Sequence, residues 1–210
     1  WHRPSFAHMT IAAGLSSYVG YSVISFLPSF LVRSFGMPVD QVGLYLGLII
    51  GIFGGAGFFL GGYIADHLGQ TDHRRALRFF GLTLFLTALP YAVMFLSSSW
   101  QVALLVFLVP AATANVYLAP VLSQAQSLVS LRMRAMASAL ALLIINVIGL
   151  ALGPLLTGVL SDLLVSLFEE ESMRYSLLIV TSIVLPLAGW HYVRAGKTID
   201  ADLMRETEHD

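Results

Sequence analysis

The sequence predicts an all-α membrane protein, a bundle of six transmembrane helices. Composition is the first reason. Of its 210 residues, 57% are hydrophobic and only 11% are charged, whereas soluble domains carry about a quarter charged residues. Mean hydropathy is +0.81. Segment length is the second reason. Stretches at 9–32, 42–65, 76–96, 102–121, 136–160 and 175–193 each approach the roughly 20 mainly apolar residues that a bilayer-crossing helix needs. One such stretch alone could be a buried core helix. Six in series with short loops cannot be packed in water.

The flanks follow from charge. Basic residues gather on one side: Arg3, Arg74, Arg75, Arg78, Arg132, Arg134, Arg194, Lys197 and Arg205 are nine of the 11, leaving Arg33 and Arg174 opposite. The excess of bases marks the cytoplasmic side, so both termini are expected there. Residues 1–8 read as a cytoplasmic linker, 9–194 as the bundle, and 195–210 as a polar, acidic cytoplasmic tail, disordered or loosely helical. The opening Trp1-His2-Arg3-Pro4 has neither initiator Met nor signal-peptide architecture, as expected of a chain that begins partway through a longer protein. A net charge of −1 gives no sign of a nucleic-acid partner. With no cysteine, disulfides and thiolate metal sites are excluded.

Within the first span, Tyr18, Tyr21, Ser22, Ser25 and Ser29 fall on one side of a helix, a polar face in an apolar segment. The second span carries Gly43, Gly47, Gly51 and Gly55 at a spacing of four, then Gly57 and Gly61. Such a stripe lets a neighbouring backbone come within contact distance. It ends in a loop, Gly62 through Asp66 to Gly69, followed by Arg74 and Arg75. The fourth span offers Thr113 and Tyr117 one turn apart. The fifth offers Asn146 in mid-membrane, then Gly149, Gly153 and Pro154, where the missing N–H predicts a bend and a pivot. Tyr18, Tyr21, Ser22, Ser25, Thr113, Tyr117 and Asn146 are the expected lining of a shared pathway.

Ionisable groups are placed at helix ends. Asp66 and Asp162 lie there, and all six histidines sit at the cytoplasmic boundary, so no residue is assigned to metal, cofactor or catalysis. Intramembrane acids and bases are the usual proton relays; a titrating residue for proton coupling is expected elsewhere.

The loop resembles the signature of the major facilitator superfamily: Gly, three residues, Asp, a base, one residue, Gly, then bases. Gly62, Asp66 and Gly69 match, His67 replaces the usual Arg or Lys, and the bases are displaced to Arg74 and Arg75. Gly149 to Pro154 is similar to a Gly-Pro hinge of the superfamily's antiporters. Tyr18-Val19-Gly20-Tyr21, Gly47-Leu48-Ile49-Ile50-Gly51 and the stretch from Gln126 to Gly149 resemble the spinster (sphingolipid transporter) branch.

The resemblance implies the C-terminal half of a twelve-helix major facilitator fold, partnered by an N-terminal six-helix half and set in a bacterial inner membrane. It implies a transporter of an amphiphilic organic solute or lipid-like molecule working by alternating access, with Asp66 at the cytoplasmic gate; capping of the helix near Ala76 is an alternative role for Asp66. A non-transporting sensor on the same scaffold is a second reading. An intramembrane hydrolase is a third, but the sequence offers no base at membrane depth beside Gly14-Leu15-Ser16-Ser17-Tyr18.

Overall fold

The computed structural model describes residues 3–69 and 72–207, with side chains described for 3–63 and 72–204. The described residues are almost entirely helical: α1 (Pro4–Phe35), α2 (Val39–Ile49), α3 (Gly55–Gly69), α4 (His73–Leu96), α5 (Trp100–Thr113), α6 (Leu118–Ser127), α7 (Arg134–Asn146), α8 (Leu152–Phe168) and α9 (Ser172–Thr207). Among the described residues, five helical stretches are long and apolar enough to cross a membrane: Pro4–Phe35, Val39–Tyr63, His73–Leu96, Trp100–Ser127 and Leu131–Met204. The last runs for 74 residues and is divided by a 3₁₀ turn at Glu169–Glu171.

Local chemistry sets the helix ends. Pro4 occupies the first turn of α1, where its missing N–H is no loss. Gly36 closes that helix at φ 64°, and the N–H groups of Gly36 and Met37 return to the carbonyls of Val32 and Leu31. This left-handed cap suits glycine. Pro38 then opens α2. The cap of α4 is Asp72, whose carboxylate accepts the Arg75 N–H at 3.0 Å. Asp72 stands next to the helix start, six residues nearer to it than Asp66.

Two spans written as unbroken helices in the sequence reading are interrupted. The second contains a π turn at Ile50–Gly54 and the fifth another at Val147–Ala151. The fourth breaks into turns at 114–117, between α5 and α6. Pro154, expected to bend the fifth span, lies in the first turn of α8, where it need not donate. The irregularity precedes it, as the π turn. The expected tail is helical as well: α9 continues through Thr207, with Ala195, Ile199 and Asp202 buried.

The core is built on α1, α4 and α9. Gly81 and Gly189 bring α4 and α9 together so closely that a Cβ on either would lie within 2.8 Å of the other's carbonyl oxygen. Tyr192, Val193 and Phe85 surround this contact, and Phe30, Phe95, Leu27 and Leu177 are buried elsewhere in the core. α1 is fastened to α9 at both ends. At one end Asp202 Oδ2 accepts the Ser5 N–H at 2.9 Å and the Ser5 hydroxyl at 2.6 Å, and Arg3 donates to the Asp202 carbonyl. His8 and His191 also meet there, Nδ1 to Nδ1 at 2.9 Å. At the other end the Arg174 guanidinium lies 5.4 Å from the Phe30 ring and 5.3 Å from the Phe35 ring. Its Nε pairs with Glu171 at 2.7 Å, and the same carboxylate oxygen accepts the Ser34 hydroxyl.

Candidate functional site

The helix interruptions surround one space. A cavity of about 360 Å³ is bounded by α1, the π turn after α2, the α5–α6 break and the end of α7. Irregular backbone at membrane depth is tolerated where it lines a cavity, and π turns recur at functional sites. Ile50 and Gly54 come from the first π turn, Ala114, Asn115 and Tyr117 from the break, and Asn146 from the residue just before the second π turn.

Polar groups enter this apolar space from four elements. Ser17 and Tyr21 project from α1, Tyr91 from α4, and Asn115 and Tyr117 from the break, facing Asn146 of α7. Ile24, Phe107, Pro110, Leu142 and Ile145 fill the remaining wall. Among the described residues, no Asp, Glu, Lys, Arg or His lines it. The Asn146 amide donates to the Leu142 carbonyl at 2.8 Å, which anchors the side chain to its own helix. The site can hydrogen-bond and stack, but it supplies no counter-charge.

Of the residues named from sequence, Tyr21, Tyr117 and Asn146 are brought together here. The others lie outside this lining. Ser22 is fully buried and accepts the Thr157 hydroxyl at 2.9 Å, in a seam between α1 and α8 that continues through Ser176 to the Thr157 carbonyl. Tyr18 is buried, and its carbonyl faces Gly153. Thr113 donates to Val109 within its own helix and meets Thr87 at 3.3 Å. Ser25 is exposed one turn beyond Tyr21, past the end of the lining, and Ser29 is half-buried. A helical face spans more than the width of one cavity, so the periodicity swept in residues that pack against α8.

Ser17, Tyr91 and Asn115 were missed. Ser17 is one position before the stripe, and Asn115 is in a break flanked by Pro110 and by Pro120, which sits in the first turn of α6. Tyr91 follows Pro90, a signal that could have drawn attention to it.

Glycines of the fifth span seat α1 against the second π turn. A Cβ on Gly149 would lie 2.2 Å from the Ser17 hydroxyl oxygen, and one on Gly153 2.8 Å from the Tyr18 carbonyl oxygen. The short loop is less fully described. Asp66 and Gly69 lie outside the residues whose side chains are described; a Cβ on Gly62 would meet nothing within 4 Å. Arg75 is paired with Asp72 at 3.0 Å, and Arg74 is exposed.

A helical membrane bundle with a charge-free cavity at its helix breaks is an architecture suited to membrane transport. The chain belongs to the Major Facilitator Superfamily, whose family model matches residues 1–203. It is 32% identical over 205 residues to an MFS-type efflux pump of Mycolicibacterium smegmatis, covering 97% of this chain and 47% of that protein. It also resembles crystal structures of a bacterial homolog to the human lysosomal transporter Spinster. The inward-facing, occupied form has TM-score 0.80 and 25% identity, over 96% of this chain and 50% of that one. The unoccupied form has TM-score 0.83 and 23% identity, over 95% and 49%, a likeness of fold. The chain thus spans about half the length of the relatives it matches. These comparisons bear out the family and the spinster-like resemblance read from the sequence, and the relatives are membrane transporters, not enzymes.

Proposed function

We propose that this chain is the C-terminal, six-helix half of a twelve-helix secondary transporter that moves an amphiphilic organic solute by alternating access. Its spans are α1, α2–α3, α4, α5–α6, α7–α8 and α9. The observation that carries the reading is the cavity, where phenols and amides are set in an apolar wall without a charge. A strongly charged solute would be left uncompensated there, at a cost of several kcal/mol. A solute with an uncharged polar group and an apolar body fits the lining. The grouping of nine basic residues of 11 on one side supports cytoplasmic termini. Gly62, Asp66, Gly69, Arg74 and Arg75 would form the gate against the other half.

The test is made on the complete protein reconstituted in liposomes, with uptake of a fluorescent amphiphile bearing an uncharged sugar head. Tyr117→Phe and Asn146→Leu are each expected to raise the half-saturating concentration about tenfold, the value of one hydrogen bond in a water-poor site. Binding without flux would establish a sensor and overturn the carrier reading. Flux that is indifferent to both substitutions would remove the cavity from the pathway.

Pro154 gives a separate kinetic expectation. In Pro154→Ala the restored N–H can extend the α-helical ladder back into the π turn at Val147–Ala151. Turnover should slow several-fold while the binding affinity of the same amphiphile changes little. Equal losses in both would remove the pivot from this position.

A further inference from the structure

The seam between α4 and α9 gathers bases at one end. Two close approaches fix its register. Gly81 lies against Gly189, and a Cβ on Gly196 would lie 3.3 Å from the Arg74 carbonyl oxygen. Seven residues separate these contacts on either helix, so the helices run antiparallel, with Arg78 level with Tyr192 and Lys197 level with His73. Arg74, Arg78, Arg194 and Lys197 therefore fall within about 8 Å of helix rise. Side is fixed as well. Phe85 covers Gly189 and Val193 covers Gly81, each one turn beyond the glycine of its own helix, which in an antiparallel pair puts both on one side of the seam. Arg78 stands two turns before Phe85 and Lys197 one turn after Val193, on that same side.

All four bases are exposed, and among the described residues none of them is in an ion pair. Arg75 is taken by Asp72, and Asp202 is buried against Ser5 on the α1 side. Asp200 stands one turn beyond Lys197, so four bases face one acid. Next along the seam comes Trp190, with the Arg194 guanidinium 5.0 Å from its ring, and then exposed Leu82 and Leu86 of α4 with Ile183 and Leu187 of α9. Alkyl side chains, then an indole, then bases repeat the order of acyl chain, interface and headgroup in a lipid leaflet. We propose that this face holds an anionic phospholipid, its phosphate among Arg74, Arg78, Arg194 and Lys197 and its glycerol against Trp190. An acidic protein segment would answer the charges but not the apolar band beside them. The lipid is a fixed companion of the bundle and not its cargo: α9 contributes no residue to the cavity and α4 only Tyr91. The site therefore stands whether or not the carrier reading does.

The experiment titrates the complete protein in detergent with phosphatidylglycerol, or with phosphatidylcholine of the same chains, and counts bound lipid by native mass spectrometry. The first phosphatidylglycerol should bind at least tenfold tighter, because the choline ammonium would face the same bases. Arg78→Gln and Lys197→Gln, both exposed and outside the cavity, should each weaken it about fivefold. Arg132→Gln combined with Arg134→Gln removes two exposed charges from the α6–α7 turn and should leave the affinity unchanged. Equal weakening by the two pairs would replace the site with a general positive potential and overturn the proposal. So would equal affinity for the two lipids, or unchanged affinity in Arg78→Gln and Lys197→Gln. Full displacement of phosphatidylglycerol by inorganic phosphate would do the same, since a soluble anion would then suffice.

Discussion

Gly57→Ala should cost the protein about 3 kcal/mol or more and leave little of it folded in detergent. The added Cβ would lie 1.8 Å from the Ala112 carbonyl oxygen and 2.6 Å from its carbonyl carbon. A colliding side chain can change rotamer, but these are backbone atoms of α5 held in a helical ladder. Relief therefore requires α3 to move away from α5. Overpacking a well-packed site costs about 1–3 kcal/mol where neighbours can adjust, and here they cannot. Gly47→Ala is the matched control: its Cβ enters open space, and alanine is the better helix former by about 0.5–1 kcal/mol. The comparison is read as yield and as the unfolding midpoint of the complete protein in one detergent. Equal midpoints for the two variants would show that α3 and α5 are not in the contact described.

The second large effect is expected at Asp202→Ala, at about 2–4 kcal/mol. The first N–H groups of any helix lack partners within it, and Arg3, at the cap position of α1, provides no side-chain cap. Asp202 does so from the far end of the chain. It is 1% exposed and accepts both the N–H and the hydroxyl of Ser5, itself fully buried. A carboxylate at a helix N-terminus is also favoured by the aligned peptide dipoles. Alanine leaves the Ser5 donors buried without a partner, at about 1–3 kcal/mol. It also removes the charge that faces the helix end. Hydrogen exchange should accelerate in the first turn of α1 and stay unchanged near Ser34, where Glu171 holds the other end. Asp202→Asn, which keeps an acceptor, should recover part of the loss. Unchanged exchange at Ser5 and Phe6 would refute the cap.

Helix content and membrane character were legible because each rests on composition and a 20-residue length, which no tertiary contact alters. The path of the second and fifth spans was less legible. A π turn adds one residue; no residue type in Ile50–Gly54 demands it, and Val147–Ala151 is signalled only through Pro154, whose missing N–H leaves the Leu150 carbonyl without its helical partner. Pro154 signalled an irregularity through the bond it cannot make to Leu150, and the π turn contains that carbonyl. For the tail the sequence left disorder and a loose helix both open, because its polarity fits water; α9 takes the helical alternative. Its buried residues, Ala195, Ile199 and Asp202, follow a helical spacing that only the partner α1 makes meaningful. In the cavity, Tyr21, Tyr117 and Asn146 could be named because a phenol or amide in an apolar run stands out. Which neighbouring hydroxyls face the cavity and which face α8, as Ser22 does, depends on helix rotation, and that is fixed by glycines 149 and 153.

The double fastening of α1 has a mechanical consequence. Bolted to α9 by Asp202 at one extremity and by Arg174 and Glu171 at the other, it acts as a keel. Any compliance that the walls possess is then delegated to the wound-out turn at Ile50–Gly54 across the cavity, so a bound molecule presses against a stiff plank on one flank and a spring on the other.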